Sequence, residues 1–424
     1  MSSLPTLRPP RAAARGLALL AGALAMLGSL PARAQAPING CAGTDAGTLA
    51  QCHYRSPQPS YTPAVVDLVL QDPARGDHVV PMRVRYPVGA SGARPVVIWN
   101  HGGGTTGQDV QASQQLGTYV TRGQQSSVRR SESFARAGYV VIHIGRLPPS
   151  VLRGHQVTPT VLGSDQMRDC VRAGVVAAVD ADNPNANVVA SCAVFIGWHL
   201  WGPRNVAFVA DMLQHYRVGM LPGFEGTLDR EKIIVGGWSG GSASGLNIAG
   251  AYQQWSNGEA TLRLDPVPVP GVAAFFLDSP RGPAYAGYSS GFQEDSSFGI
   301  GSLPLLINTA RGDRGPGGEP VAVRNVHFFG AAKGDKVMSY SWTPTADGGP
   351  NHGTMDINDS IDEATNEPAS GCNTALREEH CAALEMLGVA FLDAKVRGIR
   401  EAQDWLASGN FKVLTRDRIE LHRR

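Results

Sequence analysis

A serine flanked by glycines is the strongest chemical signal in the sequence. The stretch GGWSGGSASG (236–245) follows the apolar run KIIV and holds Ser239 in a G-x-S-x-G pattern. In this pattern a strand turns sharply into a helix and exposes the serine hydroxyl at the bend. A hydroxyl becomes a useful nucleophile when a neighbouring base removes its proton. A plain glycine turn is the alternative, and the strand-turn-helix context of Ser239 favours the nucleophile.

A second glycine-rich turn, NHGGGTTG, begins at Asn100 directly after the apolar run PVVIW. Loops of the HGGG type at a strand end donate backbone N–H groups to an oxyanion. We expect Gly103 to be one donor, with Gly102 and Gly104 as its neighbours, and Gly240 after the nucleophile to be the other. A phosphate-binding loop is the alternative, but the Lys-Ser/Thr pair of that motif is missing.

The general base is predicted to be His352. It lies in the Gly/Pro-rich loop ADGGPNHGTMDI after the strand-like run KVMSYSW, so its imidazole is free to reach across to the serine. The other histidines after Ser239 are less suitable: His327 lies in the apolar run VRNVHFF, His380 adjoins a cysteine, and His422 is near the end of the sequence.

Two aspartates are candidates for the acid that orients the imidazole. Asp313 follows the strand-like run PLLINTA, and Asp278 ends the run VAAFFLD. Both lie between Ser239 and His352, as the order Ser, Asp/Glu, His requires, and the later loop usually supplies the acid. We therefore favour Asp313 and keep Asp278 as the alternative; an aspartate that only caps a strand end is common.

The surrounding pattern predicts an α/β fold with a mostly parallel central sheet flanked by helices. Strand-like runs alternate with helical ones such as SESFARAG and RNVAFVADMLQHY. Residues 63–424 form the predicted catalytic domain. Residues 147–202 interrupt it between a strand and the next helix, and we interpret them as a cap over the site. Three tryptophans are predicted to offer apolar surface to a substrate, with core packing as the alternative: Trp198, Trp201 and Trp238.

The N-terminus reads as an export signal over residues 1–34. Arginines precede the apolar stretch from Gly16 to Leu30, and the small-residue pattern Ala32-Arg33-Ala34 is typical of a cleavage site. Residues 35–62, rich in Pro, Ser, Gly and Gln, are predicted to be an extended segment. Removal of the signal takes away four arginines and no acid, so the formal charge changes from +1 to −3. This charge argues against a nucleic-acid partner, and the apolar stretch is too short to be a stable membrane span.

Six cysteines fall into three sequence-local pairs, which an exported protein tends to oxidise. Proximity suggests Cys41 with Cys52, Cys170 with Cys192, and Cys372 with Cys381, although six cysteines allow about 15 connectivities. No pair has the C-x-x-C spacing of zinc or redox motifs. We therefore expect disulfides, and neither a metal nor a cofactor.

The sequence resembles α/β-hydrolases of the group that includes bacterial dienelactone-hydrolase-like proteins, platelet-activating-factor acetylhydrolases and cutinase-like polyester hydrolases. The resemblance covers roughly 80–146 and 203–412 and is carried by stretches such as PVVIWNHGGG, REKIIVGGWSGG and PLLINTARGD. It implies a serine nucleophile, a histidine base and a backbone oxyanion hole. Cutinase-like members match Asp313, whereas the acetylhydrolase pattern matches Leu277-Asp278. Trp238, where many relatives carry His, and the 147–202 insertion depart from the pattern.

These observations predict a secreted or periplasmic serine esterase that cleaves a small-molecule or polymeric ester, such as a lipid, polyester or aromatic ester, through an acyl-enzyme. Two other functions use the same fold. A non-catalytic exported binding protein would not need the Ser, His and acid set. An acyltransferase would use the same residues but pass the acyl group to an alcohol instead of water.

Overall fold

In the computed structural model of the protein, apolar β-branched runs form one nine-stranded sheet within the described part of the chain. The structure describes residues 38, 41, 45–75, 78–102, 127–145, 200–256, 261–280, 300–314, 321, 328–329, 334–357, 361–362, 367–368 and 371–424. All of them belong to one compact unit, residues 36–424.

The thirteen strands of the described residues cover the predicted runs PVVIW, KIIV and VAAFFLD and all but one residue each of PLLINTA and KVMSYSW. Their bounds are β1 Pro63–Asp72, β2 His78–Pro87, β3 Ala93–Asn100, β4 Val140–Ile144, β5 Thr227–Trp238, β6 Gln253–Ser256, β7 Thr261–Leu264, β8 Val272–Asp278, β9 Leu305–Ala310, β10 Lys336–Ser341, β11 Ile361–Asp362, β12 Glu367–Pro368 and β13 Ile419–Arg423.

The large sheet has the strand order β1-β2-β4-β3-β5-β8-β9-β10-β13. Strands β4, β3, β5, β8, β9 and β10 are parallel to one another, and antiparallel strands flank them on both sides. The carboxyl ends of parallel strands meet at one edge of a sheet, where ligands bind in open α/β folds. Asn100, Trp238, Asp278 and Ala310 end four of these strands and therefore lie along this edge.

Helices cover both faces of the sheet, as expected for a parallel sheet. Their bounds are α1 Ala46–Cys52, α2 Val128–Arg136, α3 Gly202–Met212, α4 Gly240–Ile248, α5 Ala375–Lys395, α6 Arg400–Ala407 and α7 Asn410–Leu414. One apolar cluster joins the sheet to α2 and α5, with Phe134, Phe276 and Leu384 among its members. A second cluster, on the opposite face, joins it to α3 and α4 through side chains such as Val209 and Leu246. The α/β class and the mostly parallel sheet are thus confirmed.

The segment 35–62 contains a helix, α1, where the sequence predicted an extended segment. Its polar composition hid the helix, which is held by contacts from elsewhere in the chain. Cys41 and Cys52 form a disulfide across α1. The indole N–H of Trp405 donates to the Cys52 carbonyl at 2.8 Å. The Trp405 contact ties the segment to α6, and the disulfide closes the segment locally.

Two of the three expected cysteine pairs are present, Cys41–Cys52 and Cys372–Cys381. The third, Cys170 with Cys192, lies outside the described residues, as does the insertion up to residue 199. Among the helices that the structure describes, none combines the length and the apolar character needed to cross a bilayer.

Candidate active site

Ser239 sits at a strained bend between β5 and α4. Its backbone angles are φ 52° and ψ −119°, a conformation that residues other than glycine rarely adopt. The bend is fixed because the backbone N–H of Ser239 donates to the Asp278 carbonyl at 2.9 Å. Ser239 is only 3% exposed. Its side chain is therefore packed at the carboxyl edge of the sheet and does not lie on an exposed surface loop.

Glycine at position 241 lets the bend approach the loop after β3. A Cβ on Gly241 would lie 2.1 Å from the Asn100 carbonyl oxygen and 2.7 Å from that of His101. Both are backbone atoms, so no side chain can move aside to make room. The glycine therefore brings the serine turn and the NHGGG turn together.

We expect Gly241→Ala to lower the free energy of unfolding by about 2–3 kcal/mol, because overpacking here must displace backbone. Urea denaturation measures this loss. Gly301→Ala is the matched control: its nearest contact would be the Ala249 carbonyl at 3.7 Å, and a change within about 0.5 kcal/mol is expected. Equal stability of the two variants would contradict the close approach.

Three predicted side chains form one hydrogen-bonded chain. His352 Nε2 lies 2.8 Å from Ser239 Oγ, and His352 Nδ1 lies 2.7 Å from Asp313 Oδ1. Asp313 is fully buried, and its Oδ2 accepts from the Thr309 hydroxyl at 2.9 Å. The side chain of His352 is 20% exposed. An ionised Asp313 requires a proton on Nδ1, which leaves Nε2 to accept from the serine hydroxyl.

The loops that carry these groups are held together by main-chain contacts. Gly312 precedes Asp313 and Asn351 precedes His352, and the two residues form a parallel β-bridge. The indole N–H of Trp238 donates to the His352 carbonyl at 3.0 Å, and the Trp238 ring lies 5.1 Å from the imidazole. Trp238, for which the sequence predicts substrate contact, anchors the loop that carries His352.

Asp278, the alternative acid, faces away from His352 and into the protein. Its Oδ1 accepts from the Asn308 amide at 2.7 Å, and its Oδ2 lies 3.0 Å from Arg130 Nε without hydrogen-bond alignment. Burial raises the pKa of Asp278 from 3.8 to about 7, although the Arg130 guanidinium and the Asn308 amide act in the opposite direction. The geometry therefore brings Asp313, and not Asp278, to the imidazole.

Sequence reasoning missed Ser279. Its hydroxyl donates to Asp313 Oδ1 at 2.6 Å and lies 2.7 Å from His352 Nδ1. The residue is fully buried directly after β8 and has φ 48°. The only sequence signal was its position after the strand-end aspartate Asp278. That position indicated Asp278 as a candidate acid and not Ser279.

The glycine-rich turn after β3 is described only up to Gly102. A Cβ on Gly102 would lie 3.0 Å from Ser239 Cβ and 2.3 Å from Trp238 Cε3, so this turn lies against Ser239. Gly240 begins α4, and the N–H groups of a first helical turn have no partner within the helix. Gly103 lies outside the described residues.

Of the other two predicted tryptophans, the structure describes Trp201. Trp201, at the start of α3, is 6% exposed and is buried in the structure. Trp198 and His327 lie outside the described residues. Within the described ranges, no group of three or more His, Cys, Asp and Glu side chains is arranged to hold a metal ion.

Neither a protein-family model nor a curated protein matches the sequence. The chemical interpretation therefore depends on the arrangement of the residues themselves.

Proposed function

We propose that the protein is a serine hydrolase that cleaves carboxylic esters through an acyl-enzyme. The observation that carries the proposal is the unbroken chain from Ser239 Oγ through His352 to Asp313, with separations of 2.8 and 2.7 Å. A serine, an imidazole and a buried carboxylate in this order are the parts of a nucleophilic triad, which is recognised by its geometry on unrelated folds.

Each part has a defined task in this reaction. Ser239 Oγ attacks the ester carbonyl while His352 Nε2 accepts its proton, and the C–O bond to the leaving alcohol breaks as Nε2 returns that proton. Water then attacks the acyl-serine in the same way and releases the acid. Asp313 stabilises the imidazolium. The N–H groups of Gly240 and of the 102–104 turn donate to the oxyanion.

The proposed fold is that of the α/β-hydrolases, with residues 147–202 as a cap. Three features support it: the parallel strands from β4 to β10, the strained serine between β5 and α4, and the acid and base on the loops after β9 and β10. The proposed location is outside the cytoplasm, which the disulfides Cys41–Cys52 and Cys372–Cys381 support. The proposed substrates are uncharged esters, of small molecules or of polymers.

The test is covalent labelling combined with turnover. A fluorophosphonate probe should modify the wild-type protein at Ser239, and p-nitrophenyl esters of increasing acyl length should be hydrolysed. Ser239→Ala should abolish labelling and lower kcat by about 10⁴-fold or more, because the attacking oxygen is lost. Peptide mapping of the labelled protein and initial rates measure both effects.

Ser242→Ala is the matched control in the same glycine-rich stretch. The Ser242 hydroxyl donates to the carbonyls of Gly237 and Asp278, at 2.7 and 2.8 Å, and does not reach His352. The folded Ser242→Ala protein should keep its label at Ser239. A wild-type protein that remains unlabelled and inactive on every acyl length would refute the esterase proposal and favour a binding protein on the same fold.

A further inference from the structure

Ser279 directly follows β8, and its side chain lies against the proposed acid–base pair. The hydroxyl reaches both members of the acid–base pair, Asp313 Oδ1 at 2.6 Å and His352 Nδ1 at 2.7 Å. The two contacts close a triangle with the 2.7 Å separation between Nδ1 and Oδ1. Ser279 Oγ, Asp313 Oδ1 and His352 Nδ1 are therefore within hydrogen-bond distance of one another.

The protons in this triangle have one consistent arrangement. An ionised Asp313 only accepts, so the Ser279 hydroxyl donates to Oδ1. The N–H at Nδ1 then points between Oδ1 and Ser279 Oγ, and both oxygens accept it. This arrangement favours the tautomer with a proton on Nδ1, which leaves Nε2 to take the proton of Ser239.

The backbone places Ser279 in this position at a conformational cost. Its φ of 48° lies in the left-handed region, which is rare for residues other than glycine and asparagine. The residue is held there because its N–H donates to the Asn308 carbonyl at 2.7 Å. The strained backbone directs the Asp278 side chain to Arg130 and the next side chain, Ser279, to the triad.

We infer that Ser279 is a positioning residue of the active site. It keeps the His352 imidazole aligned with the Asp313 carboxylate and fixes the imidazole tautomer. The inference rests on the proposed function, since the pair it positions is the proposed acid–base pair. Ser279 does not touch the reacting atoms; it acts through Nδ1 and Oδ1.

Two variants and one control test the inference. Ser279→Ala removes the hydroxyl and keeps Cβ, whereas Ser279→Gly removes it and also relieves the backbone strain. Ser341→Ala is the control, because Ser341 is an equally buried strand-end serine whose hydroxyl lies 2.8 Å from a different histidine, His380. Rates on p-nitrophenyl acetate and the low-field proton NMR signal of the His352 Nδ1–H are measured for all three.

Both Ser279 variants should lose about tenfold or more in kcat, the expected scale for a hydrogen bond to a charged group, with KM within about twofold. Their Nδ1–H signal should move or broaden, while Ser341→Ala keeps the wild-type kcat and signal. Ser279→Gly should be at least as stable as Ser279→Ala, which separates loss of the hydroxyl from misfolding.

Other outcomes overturn the inference. If kcat stays within twofold, or if activity falls while the Nδ1–H signal is unchanged, Ser279 only shapes the strand end. These results leave the esterase proposal intact when the wild-type protein labels at Ser239. An unlabelled, inactive wild-type protein refutes the esterase proposal instead, and the NMR signal then still decides whether Ser279 orients the imidazole.

Discussion

Asp313→Asn is expected to lower kcat by about 10⁴-fold while the protein stays folded. The amide has no charge to stabilise the imidazolium, and its NH₂ group favours the tautomer in which Nδ1 accepts. Nε2 then carries the proton and no longer removes one from Ser239. Initial rates on a p-nitrophenyl ester measure the loss, and circular dichroism checks the fold.

Two further aspartates provide the comparison. Asp335→Asn is the control, because Asp335 is exposed and pairs only with Lys395 at 2.7 Å in the described contacts. It should leave kcat unchanged. Asp278→Asn should alter stability more than the kcat of the folded fraction, since its carboxylate faces Arg130. A larger fall in kcat for Asp278→Asn than for Asp313→Asn would reverse the assignment of the acid.

Arg130→Met is expected to cost about 3–5 kcal/mol of unfolding free energy at pH 8. The guanidinium is fully buried, lies 3.0 Å from Asp278 and 4.6 Å above the Phe276 ring, and donates to the Leu384 carbonyl. Methionine fills similar space but leaves the buried carboxylate without a counter-ion. Urea denaturation followed by fluorescence measures the loss.

The same loss should be smaller at pH 5. The folded-state pKa of Asp278, about 7, lies above its ordinary 3.8, so this group's contribution to stability is present at low pH and falls as pH rises through that window. Arg130 lowers that pKa, and its removal extends the fall to higher pH. The difference between variant and wild type therefore widens from pH 5 to pH 8.

Arg136→Met on the same helix is the control. Its pair with Glu132 is exposed, so less than about 1 kcal/mol should be lost at either pH. Glu385 and Asp356 also face Arg130. An Arg130→Met loss that is equal at pH 5 and pH 8 would show that none of these carboxylates changes its charge in the window.

The sequence could predict those parts of the site that depend on local pattern and chain order. Ser239 was recognisable because strand, glycines and helix all occur within a dozen residues. His352 was recognisable because it is the histidine in a Gly/Pro loop after a strand. Asp313 was favoured over Asp278 because the acid usually comes from the later loop. The structure brings Asp313 to the imidazole.

What the sequence could not predict depends on distant contacts or backbone angles. Ser279 reaches Asp313 and His352 because its φ is 48° and because the loops after β8, β9 and β10 converge. The helix α1 is held by Trp405 and a disulfide, not by its own propensity. The edge strand β13 pairs with β10 across a long stretch of chain, which no local window contains.

The attachment of the N-terminal segment to Asp393 determines when the protein can finish folding. The Asp393 carboxylate accepts from Tyr54 at 2.8 Å, from Ser56 at 2.6 Å and from Tyr139 at 2.8 Å, and pairs with Arg397. Tyr54 lies 339 residues before Asp393. A nascent chain must therefore extend to Asp393 before Tyr54 can dock, and shortening the last helices should release the segment around Tyr54 as well.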